Sequence, residues 1–300
     1  MAYGPGTPVG KEGAMKRVRK FWTGLVVIAA LLIFQPGLAS AISPGISTPT
    51  SAYPFMTRVY AAGVGWCGGT LIAPSWVLTA AHCVVLDSGT TVSPSAVKAA
   101  VGVEASHWAA HWQKIDRVVR HPNFPAHIRN GAGRPYDVAL LHLTKPATQG
   151  KPIGLANFEP GVEWNLTELG WDGQGDLPEY PLGSLHYNNS VVRSDSDCHL
   201  PLLGAAYTAS MFCARTSAGA PLLQNGDSGG PVLIIVLRRQ LLAGVEDANN
   251  GYDLLGSVHY VQSWITHVSG VVPTIPTPPS TDRFGVFRYN QLPPMSVNLG

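Results

Sequence analysis

The segment Cys67-Gly68-Gly69-Thr70-Leu71-Ile72-Ala73-Pro74-Ser75-Trp76-Val77-Leu78-Thr79-Ala80-Ala81-His82-Cys83 carries two short apolar runs, Gly69–Ile72 and Trp76–Thr79, parted by Pro74-Ser75. Runs of this length, rich in Thr, Ile, Val and Trp and bounded by turn formers, read as β-strands. The same texture continues outward on both sides. Thr57–Ala62, Val97–Val103, Ile115–Val119, Val138–Leu143, Gly183–Val192, Pro231–Val236, Leu241–Val245 and Gly256–Tyr260 are further candidate strands, several of them alternating apolar and polar residues. With 33 Gly and 25 Pro punctuating 300 residues, long helices are excluded, and about ten strands over about 225 residues predict an all-β domain of two packed barrels or sandwiches. Val261–Val268 has a helix-like pattern and would close the domain.

Charged residues are only 13% of the chain and hydrophobic residues 45%, which excludes a charge-rich disordered protein. The net charge of +2 is set by the N-terminus: residues 1–41 hold five of the 20 Lys/Arg but one of the 18 Asp/Glu, so the rest is slightly acidic. Such a body offers no bulk positive charge for nucleic acid or an anionic membrane.

The basic run Lys16-Arg17-Val18-Arg19-Lys20, the apolar stretch to Phe34 and the small-residue site Ala39-Ser40-Ala41 form the three parts of a secretory signal. The apolar stretch falls short of the ~20 residues a spanning helix needs, so no stable membrane span is expected after signal removal. Residues 1–41 are therefore read as leader, 42–270 as the exported domain and 271–300 as a Pro-rich tail opening with Val272-Pro273-Thr274-Ile275-Pro276. Export implies a secreted, extracellular protein in an oxidising compartment. There the spacing of the four cysteines favours two local disulfides, Cys67–Cys83 and Cys198–Cys213, each worth about 3 kcal/mol in the chain-entropy model. A thiolate metal site is disfavoured because no Cys-x-x-Cys pair exists.

Three motifs carry chemistry: Thr79-Ala80-Ala81-His82-Cys83, Asp137-Val138-Ala139-Leu140-Leu141 and Gly226-Asp227-Ser228-Gly229-Gly230-Pro231. Each alone reads equally well as a strand edge or a turn. Together, in the order His, Asp, Ser, they supply every group that a hydroxyl nucleophile requires. The pattern Gly226-x-Ser228-x-Gly230 also fits the nucleophile elbow of α/β-hydrolases. That reading would need Asp247 or Asp253 and then His259 as partners, with alternating strands and helices that the sequence does not show.

These segments, with Tyr53-Pro54-Phe55, Gly170-Trp171-Asp172 and Trp264-Ile265, resemble the signature segments of chymotrypsin/trypsin-like serine peptidases from about Ile42 to Val268. The resemblance implies a chymotrypsin-like double antiparallel β-barrel with a short C-terminal helix and an active site between the barrels. It implies a serine endopeptidase with His82 as general base, Asp137 as its orienting carboxylate and Ser228 as nucleophile. The backbone N–H groups of Gly226 and Ser228 would form the oxyanion hole. Neither metal nor cofactor is implied, and the expected partners are polypeptides, as substrates and as protein inhibitors.

In the resembling family the residue before the nucleophile pairs with a newly formed N-terminal ammonium. Here signal cleavage after Ala41 would expose Ile42 to Asp227, although Pro44 departs from the family's usual opening. Leu222, Leu223 and Asn225 fall where the family builds its main side-chain pocket. Leu222 offers no partner for a cation, so cleavage next to apolar residues is expected rather than after Lys or Arg. Gln224 stands where many relatives have a cysteine, and Glu246-Asp247 replaces the usual Ser-Trp. Those two acids read in two ways: Glu246 against Asp137, where like charges repel, or both on a rim that selects basic substrate residues. A fold retained only as a secreted binding module is the alternative, and the intact His82, Asp137 and Ser228 weigh against it.

Overall fold

A computed structural model describes residues 45–125, 133–171, 185–217 and 223–273, together with residues 1, 2 and 4. The signal segment, Ile42, Leu222 and residues 274–300 of the Pro-rich tail lie outside these residues.

Two six-stranded antiparallel barrels make up the domain. The first joins β2 (Met56–Ala61), β3 (Gly65–Ala73), β4 (Trp76–Thr79), β5 (Val97–Val101), β6 (Gln113–Arg120) and β7 (Ala139–Leu143) in the closed order β2-β3-β4-β7-β6-β5. The second runs β9 (Asn165–Trp171), β10 (Leu185–Arg193), β11 (Met211–Arg215), β14 (Asp253–Ser257), β13 (Arg239–Asn249) and β12 (Pro231–Val236), and closes because β9 pairs with both β10 and β12. Short β1 (Ile46–Thr48) extends β10, and β8 (Gly154–Leu155) lies parallel to β13. Closure leaves neither barrel with an open edge along these strands, which is how short strands with little helix reach stability.

Strand register follows the apolar residues inward. Val59, Leu71, Val77, Leu78, Ala99, Leu140, Leu141 and Leu143 are each 1% exposed or less and share one core with Leu169, Leu242 and Val245 of the second barrel. Trp108 meets Trp171 edge-on at 4.9 Å within that shared core. Cys67 and Cys83 are bonded, with Cα atoms 6.1 Å apart. Cys198 and Cys213 are bonded at 6.4 Å and anchor a smaller cluster with Leu200, Tyr207, Met211 and Leu254.

The strand expected at Gly256–Tyr260 is misplaced. The strand ends at Ser257, whose Oγ accepts the Tyr260 backbone N–H at 3.1 Å and caps the helix Val258–Ser269. Strands β9 and β11 were not anticipated. In β9 the polar Glu168 points into the barrel and interrupts the apolar pattern that a buried strand would show.

Glu168 has company: Glu168, Asp227, Glu246 and Asp253 are all 0% exposed. Burial, then the Asp253 charge, raises the Glu168 carboxyl well above the ordinary range, while a hydrogen bond from Ser190 Oγ acts the other way and the Asp227 charge adds to the rise. Burial, then the charges of Asp227, Glu168 and Asp253, does the same to Glu246. A carboxyl raised in the folded state stabilises fully below its unfolded value near 4.3 and loses that contribution as pH climbs through the folded value. Stability is therefore expected to fall toward alkaline pH. Replacing Glu246→Gln removes one ionisation, so the melting temperature of the variant minus that of the parent should rise with pH from about 4.3 up to the raised folded value. A difference that stays flat with pH would contradict this.

Candidate active site

His82 follows β4. Ala80 is extended, and the chain then tightens into a single 3-10 turn, Ala81–Val84, which turns the imidazole toward the barrel junction. The Cys67–Cys83 bond ties that turn to β3, and Thr79 Oγ1 donates to the Gly68 carbonyl at 2.7 Å. His82 is thus carried on rigid elements, as a positioned catalytic group would require.

Asp137 precedes β7 and is fully buried. Its Oδ2 lies 2.6 Å from His82 Nδ1, and its Oδ1 accepts the His82 backbone N–H at 2.8 Å. Two contacts fix the imidazole in both place and plane. Burial raises the Asp137 carboxyl, but the His82 charge and hydrogen bonds from His82 and Asp247 outweigh it, and the net shift is downward. Residue 136 enters the turn in the left-handed region at φ 58, a strained choice for tyrosine. Its ring stacks on His121 at 4.9 Å and 8°, His121 meets Trp264 of the C-terminal helix at 5.0 Å, and the Tyr136 N–H donates to Ser210 Oγ at 3.1 Å. These contacts from both barrels hold the bend that delivers Asp137.

Ser228 sits on the turn leading into β12. Gly226 adopts φ 96, which a side chain would disfavour, and opens the turn. Gln224 N–H donates to Asp227 Oδ2 at 3.0 Å, Gly230 N–H to the Asp227 carbonyl at 2.8 Å, and Gly229 N–H to the Glu246 carbonyl at 2.7 Å. The N–H groups of Gly226 and Ser228 donate to no acceptor among the described residues. Across the junction, Gly68 N–H donates to the Ser228 carbonyl at 2.8 Å. A Cβ on Gly68 would stand 2.8 Å from the Gly230 backbone, so only glycine admits this approach. The Ser228 hydroxyl donates to the Asp247 carbonyl at 3.4 Å, while a direct bond to His82 is absent among the described residues. Catalytic hydrogen bonds are often long before substrate binds, so this geometry does not count against Ser228 as a candidate nucleophile.

The candidate residues divide accordingly. His82 and Asp137 are in direct contact, and Asp247 adjoins both His82 and Ser228, at 3.8 Å and 3.4 Å. Leu223 is 5% exposed, with its N–H on Asp253 Oδ1 at 2.8 Å and its carbonyl accepting from Asn249 at 3.2 Å, whereas Asn225 is exposed on the same turn. An open cleft of about 200 Å³ runs beside His82, lined also by Gly63, Val64, Leu86, Phe124 and Arg134.

Three groups in this site have no counterpart in the motifs. Arg58 of β2 is 1% exposed, lies 5.3 Å from the Trp66 ring and 5.2 Å from Trp108, and donates from Nη1 to the Gly226 carbonyl at 3.0 Å. Burial lowers its guanidinium to about 10, with the Asp227 charge opposing the fall. Arg134 places Nη1 4.0 Å from Asp137 Oδ2. Asp247, not Glu246, faces Asp137. Both acids are buried, Asp247 at 6% exposure, so neither forms a rim. The irregular register of β13 between Glu246 and Ala248 exchanges the two faces there. Nothing in the run Met56–Ala61 marks Arg58 as buried, because only the folded barrel brings Trp66 and Trp108 to it.

Comparison with known proteins agrees with this geometry. The family model Trypsin matches residues 42–265. The chain is 28% identical to a mouse tryptase over 276 residues, covering 81% of this chain and 95% of the tryptase. It is 31% identical to prostatic glandular kallikrein-6 of Rattus norvegicus over 65% of this chain and 75% of that protein. Trypsin-2 of Salmo salar is 30% identical over 57% of this chain and 70% of its own. The double barrel and a family match spanning most of the polypeptide converge on one conclusion: the chain belongs to the trypsin family of serine endopeptidases.

Proposed function

We propose that the protein is a secreted endopeptidase that cleaves polypeptides through an acyl-enzyme on Ser228. The two-point contact between His82 and Asp137 carries this reading, because it leaves the imidazole Nε2 as the free base. Ser228 Oγ attacks the peptide carbonyl carbon as His82 takes its proton. The electron pair of the carbonyl moves to oxygen, where the N–H groups of Gly226 and Ser228 receive it, each donor contributing about 10²–10³ in rate. Collapse expels the amine, which takes the proton from His82, and water repeats the sequence to release the acid. No observation favours a non-hydrolytic binding module.

For specificity, the sequence puts Leu222 where an acid would select a cation, the neighbouring Leu223 is buried and apolar, and Asp253 Oδ1 accepts the Leu223 N–H. Apolar residues are therefore preferred at the cut. The exported domain spans 42–270, with 271–300 as a tail, and in this reading signal removal frees Ile42. Its ammonium joins Arg58 as a counter-charge to Asp227. The family match beginning at residue 42 and the crowd of buried acids around Asp227 support this. No helix among the described residues is long and apolar enough to cross a membrane.

Two measurements test the reading. Cuts made by the secreted protein in a denatured protein mixture, mapped by mass spectrometry, should fall after apolar residues and slow at least 10⁴-fold in Ser228→Ala. Cuts after Arg or Lys would overturn the pocket, and undiminished cutting by the variant would overturn the nucleophile. N-terminal sequencing of the secreted protein should read Ile42 first, and any other first residue removes the ammonium from the account.

A further inference from the structure

Asp247 belongs to none of the motifs, yet it touches every part of the candidate triad. Its carbonyl accepts the Ser228 hydroxyl at 3.4 Å, and its side chain, 3% exposed, turns to the opposite partner. Oδ1 lies 3.8 Å from His82 Nδ1, and Oδ2 accepts the Arg134 backbone N–H at 2.8 Å. A carboxyl oxygen from each of Asp137 and Asp247 and a ring nitrogen of His82 all fall within 4.8 Å of one another. The charged and titratable groups facing Asp247 are thus His82 from the 3-10 turn, Asp137 from the start of β7, and Arg134 from the segment before it.

Two carboxylates buried this closely cannot both ionise near neutral pH. Asp137 is the one engaged by two donors of His82, so it keeps the charge. Resting on the triad reading above, we propose that Asp247 is a positioning residue of the catalytic centre: its carboxyl holds a proton and donates it to Asp137 in a hydrogen bond, so that the pair presents one negative charge to His82. Burial, then the charge and hydrogen bond of Asp137, pushes the Asp247 carboxyl well above the ordinary aspartate range, with Arg134 opposing. The same bond, seen from Asp137, favours its ionised form.

The arrangement gives Asp137 a third donor that fixes its plane, and it limits the charge that stabilises the imidazolium. A second full charge 3.8 Å from the ring would hold the base protonated to higher pH and move the acid limb of the rate profile upward.

The test is the pH dependence of kcat/KM for the secreted protein, with fluorophosphonate labelling of Ser228 in the parent run beside it. Failure of the parent to label at Ser228 overturns the triad reading itself, independently of Asp247. Given labelling, Asp247→Asn keeps a neutral donor: its acid limb should stay within about 0.3 pH units of the parent. Asp247→Ala removes the donor and should fall a further 10- to 100-fold in kcat/KM, the scale of a hydrogen bond to a charged group. An acid limb displaced downward by about one unit or more in both variants would show that Asp247 was ionised, and equal losses in Asn and Ala would show that no hydrogen bond was at stake. Either result overturns the proposal. Where the Asn variant shows no cooperative melting transition, Asp247→Ser supplies the donor in a smaller volume and carries the same comparison.

Discussion

The site depends on how one barrel grips a turn of the other. Gly68 N–H holds the Ser228 carbonyl, and Arg58 holds the Gly226 carbonyl two residues earlier. Both donors come from the first barrel, and both acceptors lie on the turn that carries Ser228 in the second. With its carbonyls committed across the junction, that turn leaves the N–H groups of Gly226 and Ser228 aimed elsewhere and unengaged among the described residues. Preorganised donors of this kind cost no reorganisation when charge develops on a substrate oxygen.

Electrostatics at the junction follow from this grip. Arg58 is wholly buried between two indoles, a position that would be costly without anions nearby, and Asp227 supplies one. The other buried acids face each other with less compensation, and Glu168, Glu246 and Asp247 are all shifted toward their protonated forms. Asp137 is shifted the other way, because His82 supplies both charge and hydrogen bonds. Similar carboxyls in one interior therefore take opposite charge states according to their donors.

Much of this was legible in the sequence wherever a short segment decides its own structure. The strands Trp76–Thr79 and Pro231–Val236 were read to the residue, since Pro74-Ser75 and Gly229-Gly230 bound them sharply. Both disulfides followed from spacing. What escaped depends on contacts between distant segments. Arg58 in the run Met56–Ala61 looks like a solvated residue until the barrel closes over it. Asp247 and Glu246 could not be told apart because one irregular step in β13 decides which faces Asp137. Glu168 concealed β9 by placing a charge-bearing residue where an apolar one marks a strand.

The central claim is that Ser228, His82 and Asp137 act on one reacting group in the junction. Its most direct test is a crystal structure of the protein after reaction with a fluorophosphonate. The account predicts phosphorus bonded to Ser228 Oγ, the phosphonyl oxygen about 3 Å from the N–H groups of Gly226 and Ser228, and His82 still bonded to Asp137. Modification at another residue, or a phosphonyl oxygen turned away from both N–H groups, would contradict it.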